Sequence, residues 1–124
     1  QDAINDADPM GGDTIVFLDH IEESFVAYNS VYVNSNGFTL TIPDEIPDVS
    51  FGRMEIYQDV VFIWLGGTII VNPAGLINND GTLHNNGTII YQGGTGTFEN
   101  GGIYKGTGSF QGNFMNYGSV NPGN

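Results

Sequence analysis

The chain has 124 residues, of which 14 are acidic and only two are basic, and its formal net charge is −12. With so few cations to neutralise phosphates or anionic lipids, we expect neither nucleic acid nor an anionic membrane surface as a partner. No apolar run reaches the roughly 18 residues that membrane insertion as a helix requires, and the absence of cysteine excludes disulfides.

The first nine residues, QDAINDADP, contain the best candidate for a helix in the chain. Three apolar residues fall at positions i, i+1 and i+4 of one stripe, and Pro9 ends the stripe. A helix this short is marginal unless it packs on other structure. We therefore expect residues 1–9 to cap a larger body, and the length of the chain favours one domain over residues 1–124.

Segments rich in β-branched and aromatic residues follow and predict strands. They cover residues 14–18, 24–33, 38–42, 54–65 and 68–71. In the third segment, FTLTI, apolar residues alternate with threonines, which is the period of two of a half-buried strand. The length of these segments also fits an antiparallel sandwich with Gly-rich turns, and this alternative stays open.

The sequence pattern changes at Gly66. Residues 66–124 consist of short strand segments that are each followed by Gly or Asn. Both residue types bend the chain because they accept a positive φ at low cost. We interpret six glycines as corners: Gly81, Gly87, Gly96, Gly102, Gly108 and Gly118. Between the corners, Leu83 and either Ile89 or Ile90 are expected to fill the interior.

Short strands joined by corners predict a β-solenoid, in which each strand pairs with the strand on the same side of the next coil. Asparagines at equivalent corners of successive coils are expected to stack into amide ladders. One coil cannot bury its own core, so several must stack. At roughly 20 residues per coil, the chain is expected to form about six coils.

The stretch QDAINDADPMGGDTIVF at 1–17 resembles the opening of secreted right-handed parallel β-helix proteins of the pectate-lyase-like architecture. These begin with a short capping helix of the type LRxAIxxAN, a Gly/Asp turn and the sequence DTIxF. The matching residues are Ala3, Ile4, Asp13, Thr14, Ile15 and Phe17. The chain lacks the leading Leu-Arg and carries Asp8 where Asn is usual.

The stretch YKGTGSFQGNFMNYGSVNPGN at 104–124 is similar to the terminal coils of bacterial surface β-helices of the autotransporter and adhesin type. Those coils repeat GTGxF, NxGxV and PGNSPG. Together the two resemblances imply an all-β fold, a right-handed parallel β-helix with a short N-terminal capping helix, and an extracellular or cell-surface location. They do not by themselves assign an activity.

Four aspartates near the N-terminus are the candidates for a metal site: Asp2, Asp6, Asp8 and Asp13. Oxygen ligands at short spacings suit Ca²⁺, although the spacing of an EF-hand is absent. The same carboxylates also suit a helix N-terminus and a solvated turn, so both interpretations stay open. No cofactor other than calcium is expected.

Residues with catalytic chemistry are scarce. Paired carboxylates can hydrolyse glycosides. Two clusters supply carboxylates: Asp19, Glu22 and Glu23, then Asp44, Glu45 and Asp48. Prolines flank the second cluster and favour an exposed loop.

The two histidines, His20 and His84, have no cysteine to join them in a zinc site. Pectate lyases combine Ca²⁺ ligands with basic residues, and only Arg53 and Lys105 are basic here, so we predict that the chain is not an enzyme.

Six aromatic residues in the C-terminal half allow two interpretations. They are Tyr91, Phe98, Tyr104, Phe110, Phe114 and Tyr117. In the first interpretation they form an exposed strip that stacks on sugars. In the second, which we favour, they form an interior stack because a narrow solenoid needs large apolar side chains to fill it.

Two short motifs are candidate glycosylation sites. Asn86 begins an Asn-Gly-Thr sequon, and Thr14 lies in an Asp-Thr-Ile pattern that fits bacterial O-glycosylation. Motifs of three residues arise often by chance, so each is a hypothesis about a surface position.

The two ends of a solenoid expose unpaired strand edges, which natural solenoids cover with caps. Residues 1–9 supply a candidate cap, whereas the C-terminal sequence around Gly118 and Pro122 indicates none. A bare end that stacks on a second copy makes an open contact, which grows into a filament. The leading hypothesis is therefore an extracellular structural protein that stacks head to tail into a surface fibre, sheath or adhesin stalk. A glycan-binding adhesin module is the alternative, followed by a polysaccharide lyase or hydrolase.

Overall fold

The computed structural model of the chain describes residues 13–43, 52–93 and 96–122. The predicted capping helix at 1–9 lies outside these ranges. Six of the predicted site residues also lie outside them: Asp2, Asp6, Asp8, Asp44, Glu45 and Asp48. All regular secondary structure within the described ranges is β-strand, which confirms the all-β prediction.

Sixteen strands follow one another along the described chain, and most are three or four residues long. They are β1 (Asp13–Val16), β2 (Ile21–Glu22), β3 (Phe25–Ala27), β4 (Val31–Asn34), β5 (Thr39–Ile42), β6 (Arg53–Ile56), β7 (Val61–Trp64), β8 (Thr68–Val71), β9 (Leu76–Asn79), β10 (Thr82–Asn85), β11 (Thr88–Tyr91), β12 (Phe98–Asn100), β13 (Ile103–Gly106), β14 (Ser109–Gln111), β15 (Phe114–Asn116) and β16 (Ser119–Pro122).

Two of the predicted strands are wrong in extent. The segment 24–33 contains a corner between β3 and β4, and the segment 54–65 contains a corner between β6 and β7. Apolar residues occupy these corners, including Tyr28 and Val60. Because no Gly or Pro marks either corner, two short strands look like one long strand in the sequence.

The strands form three parallel sheets. Sheet A has the order β1-β4-β7-β10-β13-β16, sheet B has the order β2-β5-β8-β11-β14, and sheet C has the order β3-β6-β9-β12-β15. Each complete coil contributes one strand to every sheet, and each strand pairs with the strand three further along the chain. This arrangement is a parallel β-helix, as the sequence predicts, and it excludes the antiparallel sandwich.

The register between coils shows that the coils differ in length. Val61 pairs with Thr82, and Thr82 pairs with Ile103, so these two successive coils use equal stretches of chain. Ile103 pairs with Ser119, so the last coil is shorter than the two before it. Five coils are complete in three strands and β16 begins a sixth, close to the expected number.

Side chains alternate between the interior and the outer surface along each strand. In β8 to β11, half-buried residues alternate with buried ones. Leu83 and Ile89 are fully buried, whereas Ile90 lies on the outer face. Trp64 is also fully buried, and its Nε1–H donates to the Gly67 carbonyl at 3.1 Å. Burial of each large apolar side chain stabilises the fold by roughly 1.5–3 kcal/mol.

The six glycines predicted as corners all lie between strands, but the predicted reason for them is wrong. None of the six has a positive φ. The glycines with a positive φ in the described chain are Gly37, Gly67, Gly93, Gly106 and Gly112. A Cβ on Gly102 would overlap the carbonyl oxygen of Gly81, and a Cβ on Gly118 would overlap that of Gly102. Glycine is therefore needed at these corners because successive coils approach closely.

Three asparagines at equivalent positions of sheet C form the amide ladder that the sequence predicts. Asn79 pairs with Asn100, and Asn100 pairs with Asn116. The Nδ2 of Asn79 donates to the Oδ1 of Asn100, and the Nδ2 of Asn100 donates to the Oδ1 of Asn116, each at 2.8 Å. Both Asn79 and Asn100 are fully buried. The ladder therefore places polar groups in the interior without leaving their N–H donors unpaired.

Candidate functional sites

The C-terminal end of the described solenoid is formed by β14, β15 and β16, the last strands of sheets B, C and A. Each of them has a strand partner on one side only within the described chain. The Ser119 N–H donates back to the Gly102 carbonyl at 2.9 Å. Because neighbouring residues of a strand point their backbone groups to opposite sides, the N–H and C=O of Val120 point away from β13.

An aromatic cluster fills the interior of the last coils. Phe98 is fully buried, and its ring centroid lies 5.1 Å from that of Tyr104, 5.3 Å from that of Phe110 and 4.7 Å from that of Phe114. Tyr91 joins the cluster through Phe110, at 5.8 Å. These separations are typical of attractive aromatic pairs. The interior interpretation is confirmed for these five residues.

The regular spacing of aromatic residues in the C-terminal sequence corresponds to one strand plus one corner. Phe98, Tyr104 and Phe110 follow one another at equal intervals, and they lie in sheets C, A and B. All three side chains contribute to the same cluster from three sides of the coil. Tyr117 is the exception among the predicted aromatic residues, because it lies outside on a corner and is 71% exposed.

The aromatic cluster is incompletely covered at the C-terminal end. Phe110 and Phe114 are only half-buried, although they face the interior. Val120 continues the inward column of sheet A beyond Tyr104, and it is 42% exposed. No further coil lies beyond these residues in the described part of the chain. Among the described residues, the last coil therefore leaves part of its apolar interior exposed.

Burial also changes the acidity of two phenols in this region. It raises the pKa of Tyr91 above the ordinary value of a tyrosine, against a smaller opposing effect of the Ile77 N–H, which donates to the phenol oxygen. It raises the pKa of Tyr104 in the same way, opposed by the side-chain amide of Asn85. Both phenols therefore stay neutral at physiological pH and act as hydrogen-bond acceptors inside the coil.

The first and last coils differ in charge. Residues 13–27 contain four carboxylates and neither Lys nor Arg. Residues 103–122 contain Lys105 and no acidic residue. Arg53, the other cation, lies 3.6 Å from a carboxylate oxygen of Glu55, whereas Lys105 forms no ion pair with any residue that the structure describes. The C-terminal end is thus free of the negative charge that dominates the rest of the chain.

The corner after sheet C carries a second candidate site. Tyr28, Tyr57, Asp80, Gly101 and Tyr117 each follow a strand of this sheet, so they form one column along the solenoid. Tyr28 and Tyr57 are 61% and 52% exposed, and their ring centroids lie 5.2 Å apart. Since Gly101 has no side chain, a groove opens beyond Tyr57.

This corner groove is lined by Tyr57, Gln58, Asp80 and Gly101. It is open to solvent, and it combines an aromatic ring with a carboxylate and an amide. The Asp80 carboxylate forms no hydrogen bond or ion pair with another residue in the described ranges. A ring that offers an apolar face beside a few convergent polar groups is an arrangement that binds small polar ligands such as sugars.

The two histidines are far apart in the fold and have different environments. The Nδ1 of His20 accepts a hydrogen bond from the Thr39 N–H at 3.0 Å, and the ring packs edge-on against Phe38. His84 lies on the outer face of sheet A, opposite to Leu83 as its alternation predicts. Within the described ranges, no three His, Asp or Glu side chains converge as metal ligands.

The remaining predicted site residues lie at the surface or at the edge of the described chain. Asp13 pairs with Val31 at the start of β1, and Thr14 beside it is exposed. Asn86 is half-buried, and its Oδ1 accepts hydrogen bonds from the N–H and the hydroxyl of Thr107. Calcium binding and glycosylation stay predictions. No helix long and apolar enough to cross a bilayer occurs in the described ranges.

The corner groove was not evident from the sequence, whereas an uncapped C-terminal end and an interior stack of aromatic residues were predicted from it. Tyr28, Tyr57 and Tyr117 lie far apart and at unequal intervals along the chain, so only the coil register brings them into one column. Neither the scan against protein-family models nor the searches of curated proteins and of solved structures found a match to the chain.

Proposed function

We propose that the chain is an extracellular structural protein, a β-solenoid subunit that stacks head to tail into a surface fibre, sheath or adhesin stalk. The observation that carries the proposal is the C-terminal end, where three strand edges surround an incompletely covered aromatic cluster. The proposal includes no catalytic activity and no cofactor.

The open strand edges favour pairing with another chain. Unpaired N–H and C=O groups of an edge strand template the addition of a further strand. Three such edges lie side by side at this end, on β14, β15 and β16. A coil that pairs with all three at once buries Phe110, Phe114 and Val120 and satisfies the outward backbone groups.

A second copy of the chain is the partner whose shape and charge suit this end. Its first described coil has one strand in each of the same three sheets, and the inward residues Ile15 and Ile21 are only half-buried. The contact requires that the predicted cap at residues 1–9 leaves the outer edge of this coil accessible. That coil also carries four carboxylates, which suit the Lys105 end better than a second Lys105 end does. A contact between two different ends does not close on itself, so it repeats into a filament.

Negative-stain electron microscopy and sedimentation of the purified chain test the proposal. A Val120→Pro variant removes an outward N–H while leaving the bonds of β16 to β13 intact, since proline is tolerated on an open strand edge. We expect the wild-type chain to form linear assemblies and the variant to shorten or abolish them. Val120→Ala keeps the N–H and is the matched control. Uniform monomers of the wild-type chain at high concentration would contradict the proposal.

The corner groove supports a second function, a glycan-binding adhesin module. Tyr57 supplies an exposed ring, and Gln58 and Asp80 supply an amide and a carboxylate beside it. A glycan array followed by calorimetry tests this function. Tyr57→Ala should abolish binding, whereas Tyr32→Ala, at an exposed tyrosine on sheet A, should leave it unchanged. Absence of any binding to the array, or equal loss in both variants, counts against the groove.

A further inference from the structure

The outer face of sheet B carries a regular array of small hydroxyl-bearing and branched side chains. Thr39 pairs with Thr68, and Thr68 pairs with Thr88, so the three form one outward column. Thr41, Ile70 and Ile90 form the neighbouring column on the same strands. We call these six residues the threonine face.

The parallel register makes the threonine face periodic in two directions. Adjacent strands of a sheet are about 4.7–4.9 Å apart, and residues i and i+2 of one strand are about 6.6 Å apart. Equivalent side chains therefore repeat at these spacings over β5, β8 and β11. Ser109 continues the first column on β14, where its hydroxyl donates to the Thr88 hydroxyl at 3.4 Å.

The side chains of the threonine face are held in fixed positions. Threonine and isoleucine branch at Cβ and have few allowed rotamers in a strand. All six are half-buried, because each is flanked by its neighbours in the array. The hydroxyls of Thr39, Thr41 and Thr68 donate to no other residue in the described ranges, so they are available to water or to a ligand.

The threonine face is also uncharged, in a chain whose net charge is −12. The nearest carboxylate in the second column is that of Glu22 on β2, which pairs with Thr41 on β5. No aromatic residue lies within the face. A ligand that suits this face is therefore neutral and periodic, and it makes contact with hydroxyl and methyl groups without stacking on an aromatic ring.

We propose that the threonine face binds ice. Two water oxygens that hydrogen-bond to one central water at about 2.75 Å lie about 4.5 Å apart when the geometry is tetrahedral. This distance is close to the strand spacing that separates Thr39, Thr68 and Thr88. A column of threonine hydroxyls therefore holds water molecules at nearly the spacing of water molecules in ice. The methyl groups favour the ordering of these waters because they offer no competing hydrogen bond.

The inference is independent of the proposed stacking, because the threonine face lies on the side of the solenoid and not at its end. Thermal hysteresis and the shape of growing ice crystals measure ice binding directly. The wild-type chain should lower the freezing point below the melting point and partition into slowly growing ice. A Thr68→Lys/Thr88→Lys variant should lose most of this hysteresis, since two long charged side chains break the array.

Thr82→Lys is the control for a positive charge added outside the threonine face. Thr82 is a half-buried threonine on the outer face of sheet A, and its change adds the same kind of charge elsewhere on the surface. This control should retain the wild-type hysteresis. A Thr68→Val/Thr88→Val variant keeps the shape of the face and should reduce the hysteresis less than lysine does. Far-UV circular dichroism of each variant establishes that the solenoid is intact.

Four results overturn the inference. The first is a wild-type chain without hysteresis or partition into ice. The second is a lysine pair on the threonine face that leaves hysteresis intact, and the third is equal loss in the Thr82→Lys control. Binding to crystalline cellulose or chitin in place of ice would also overturn it, since the periodic ligand would then be a polysaccharide.

Discussion

The side-chain amide of Asn79 donates to the side-chain carbonyl of Asn100, 2.8 Å away, in the interior of the solenoid. The same amide also donates to the Ile103 carbonyl at 2.8 Å, so both of its hydrogens are used. Asn100 repeats this arrangement toward Asn116 and the Ser119 carbonyl. The ladder thus ties β9 and β12 both to the next strand of sheet C and to the first residue of a strand of sheet A, β13 or β16.

We expect Asn100→Ala to destabilise the solenoid by about 1–3 kcal/mol, because it removes the donor to the Ser119 carbonyl and leaves one hydrogen of the buried Asn79 amide without an acceptor. Urea unfolding followed by circular dichroism gives the free energy of unfolding. Asn78→Ala is the control, since Asn78 is only half-buried on the outer face of the neighbouring strand. Equal effects at both positions would show that the ladder contributes nothing beyond an average surface asparagine.

The ladder has a direction, and its first member is incompletely paired. The Oδ1 of Asn79 is buried without a hydrogen-bond partner in the described chain. The position that precedes it in the column is Ile56, which is fully buried. An asparagine at that position would supply the missing donor.

Both substitutions should lower the free energy of unfolding, and Ile56→Asn should lower it by about 1–3 kcal/mol less than Ile77→Asn does. Both isoleucines are fully buried in sheet C, but only the first lies beside an unpaired amide oxygen. The urea concentration at the unfolding midpoint of each variant measures this difference in stability. If Ile77→Asn is the more stable of the two, the carbonyl of Asn79 has a partner in solution, such as an internal water.

Local sequence patterns predicted the strands and the interior of the C-terminal coils. Gly and Asn interrupt the chain at nearly equal intervals there, so Leu83 and one of Ile89 and Ile90 were assigned to the interior. The structure shows that the second of these inward residues is Ile89. The ladder followed from the same reasoning, because equivalent asparagines recur. The strand boundaries of the N-terminal coils were predicted less accurately, because apolar residues such as Tyr28 and Val60 occupy the corners there.

The candidate sites depend on contacts between coils, which the sequence does not specify. The step from Asp13 to its partner Val31 is longer than the step from Ile103 to its partner Ser119. With unequal steps, the residues that share a column cannot be aligned by a fixed repeat. Neighbours such as Thr39 and Thr68 are therefore recognised only from the pairing of strands.

The corner glycines give a prediction about coil spacing. Gly102→Ala should cost about 3 kcal/mol or more, because the new methyl group overlaps the Gly81 carbonyl and forces two backbones apart. Gly66→Ala is the matched control, since it is also a corner glycine and a Cβ there meets no atom within 4 Å. The control should be neutral or slightly stabilising. Thermal unfolding of the two variants measures the difference in stability. An equal loss of stability in both would mean that the overlap with the Gly81 carbonyl adds nothing to the cost of the new methyl group.

The raised pKa values of Tyr91 and Tyr104 predict a loss of stability in alkali. In the unfolded chain both phenols release their protons near the ordinary tyrosine pKa of about 10, whereas burial keeps them protonated in the folded chain. The unfolded state then binds fewer protons than the folded state. The free energy of unfolding therefore falls as the pH rises above about 10, and these groups leave it unaffected below that pH.

Urea unfolding at pH 8 and at pH 11 should show this alkaline decrease. Tyr104→Phe should make the decrease smaller, because it removes a buried phenol whose proton is released near pH 10 only in the unfolded chain. Tyr117→Phe, at an exposed tyrosine, should retain the full decrease and is the matched control. A decrease of the same size in Tyr104→Phe as in the wild-type chain would mean that the alkaline loss comes from other groups.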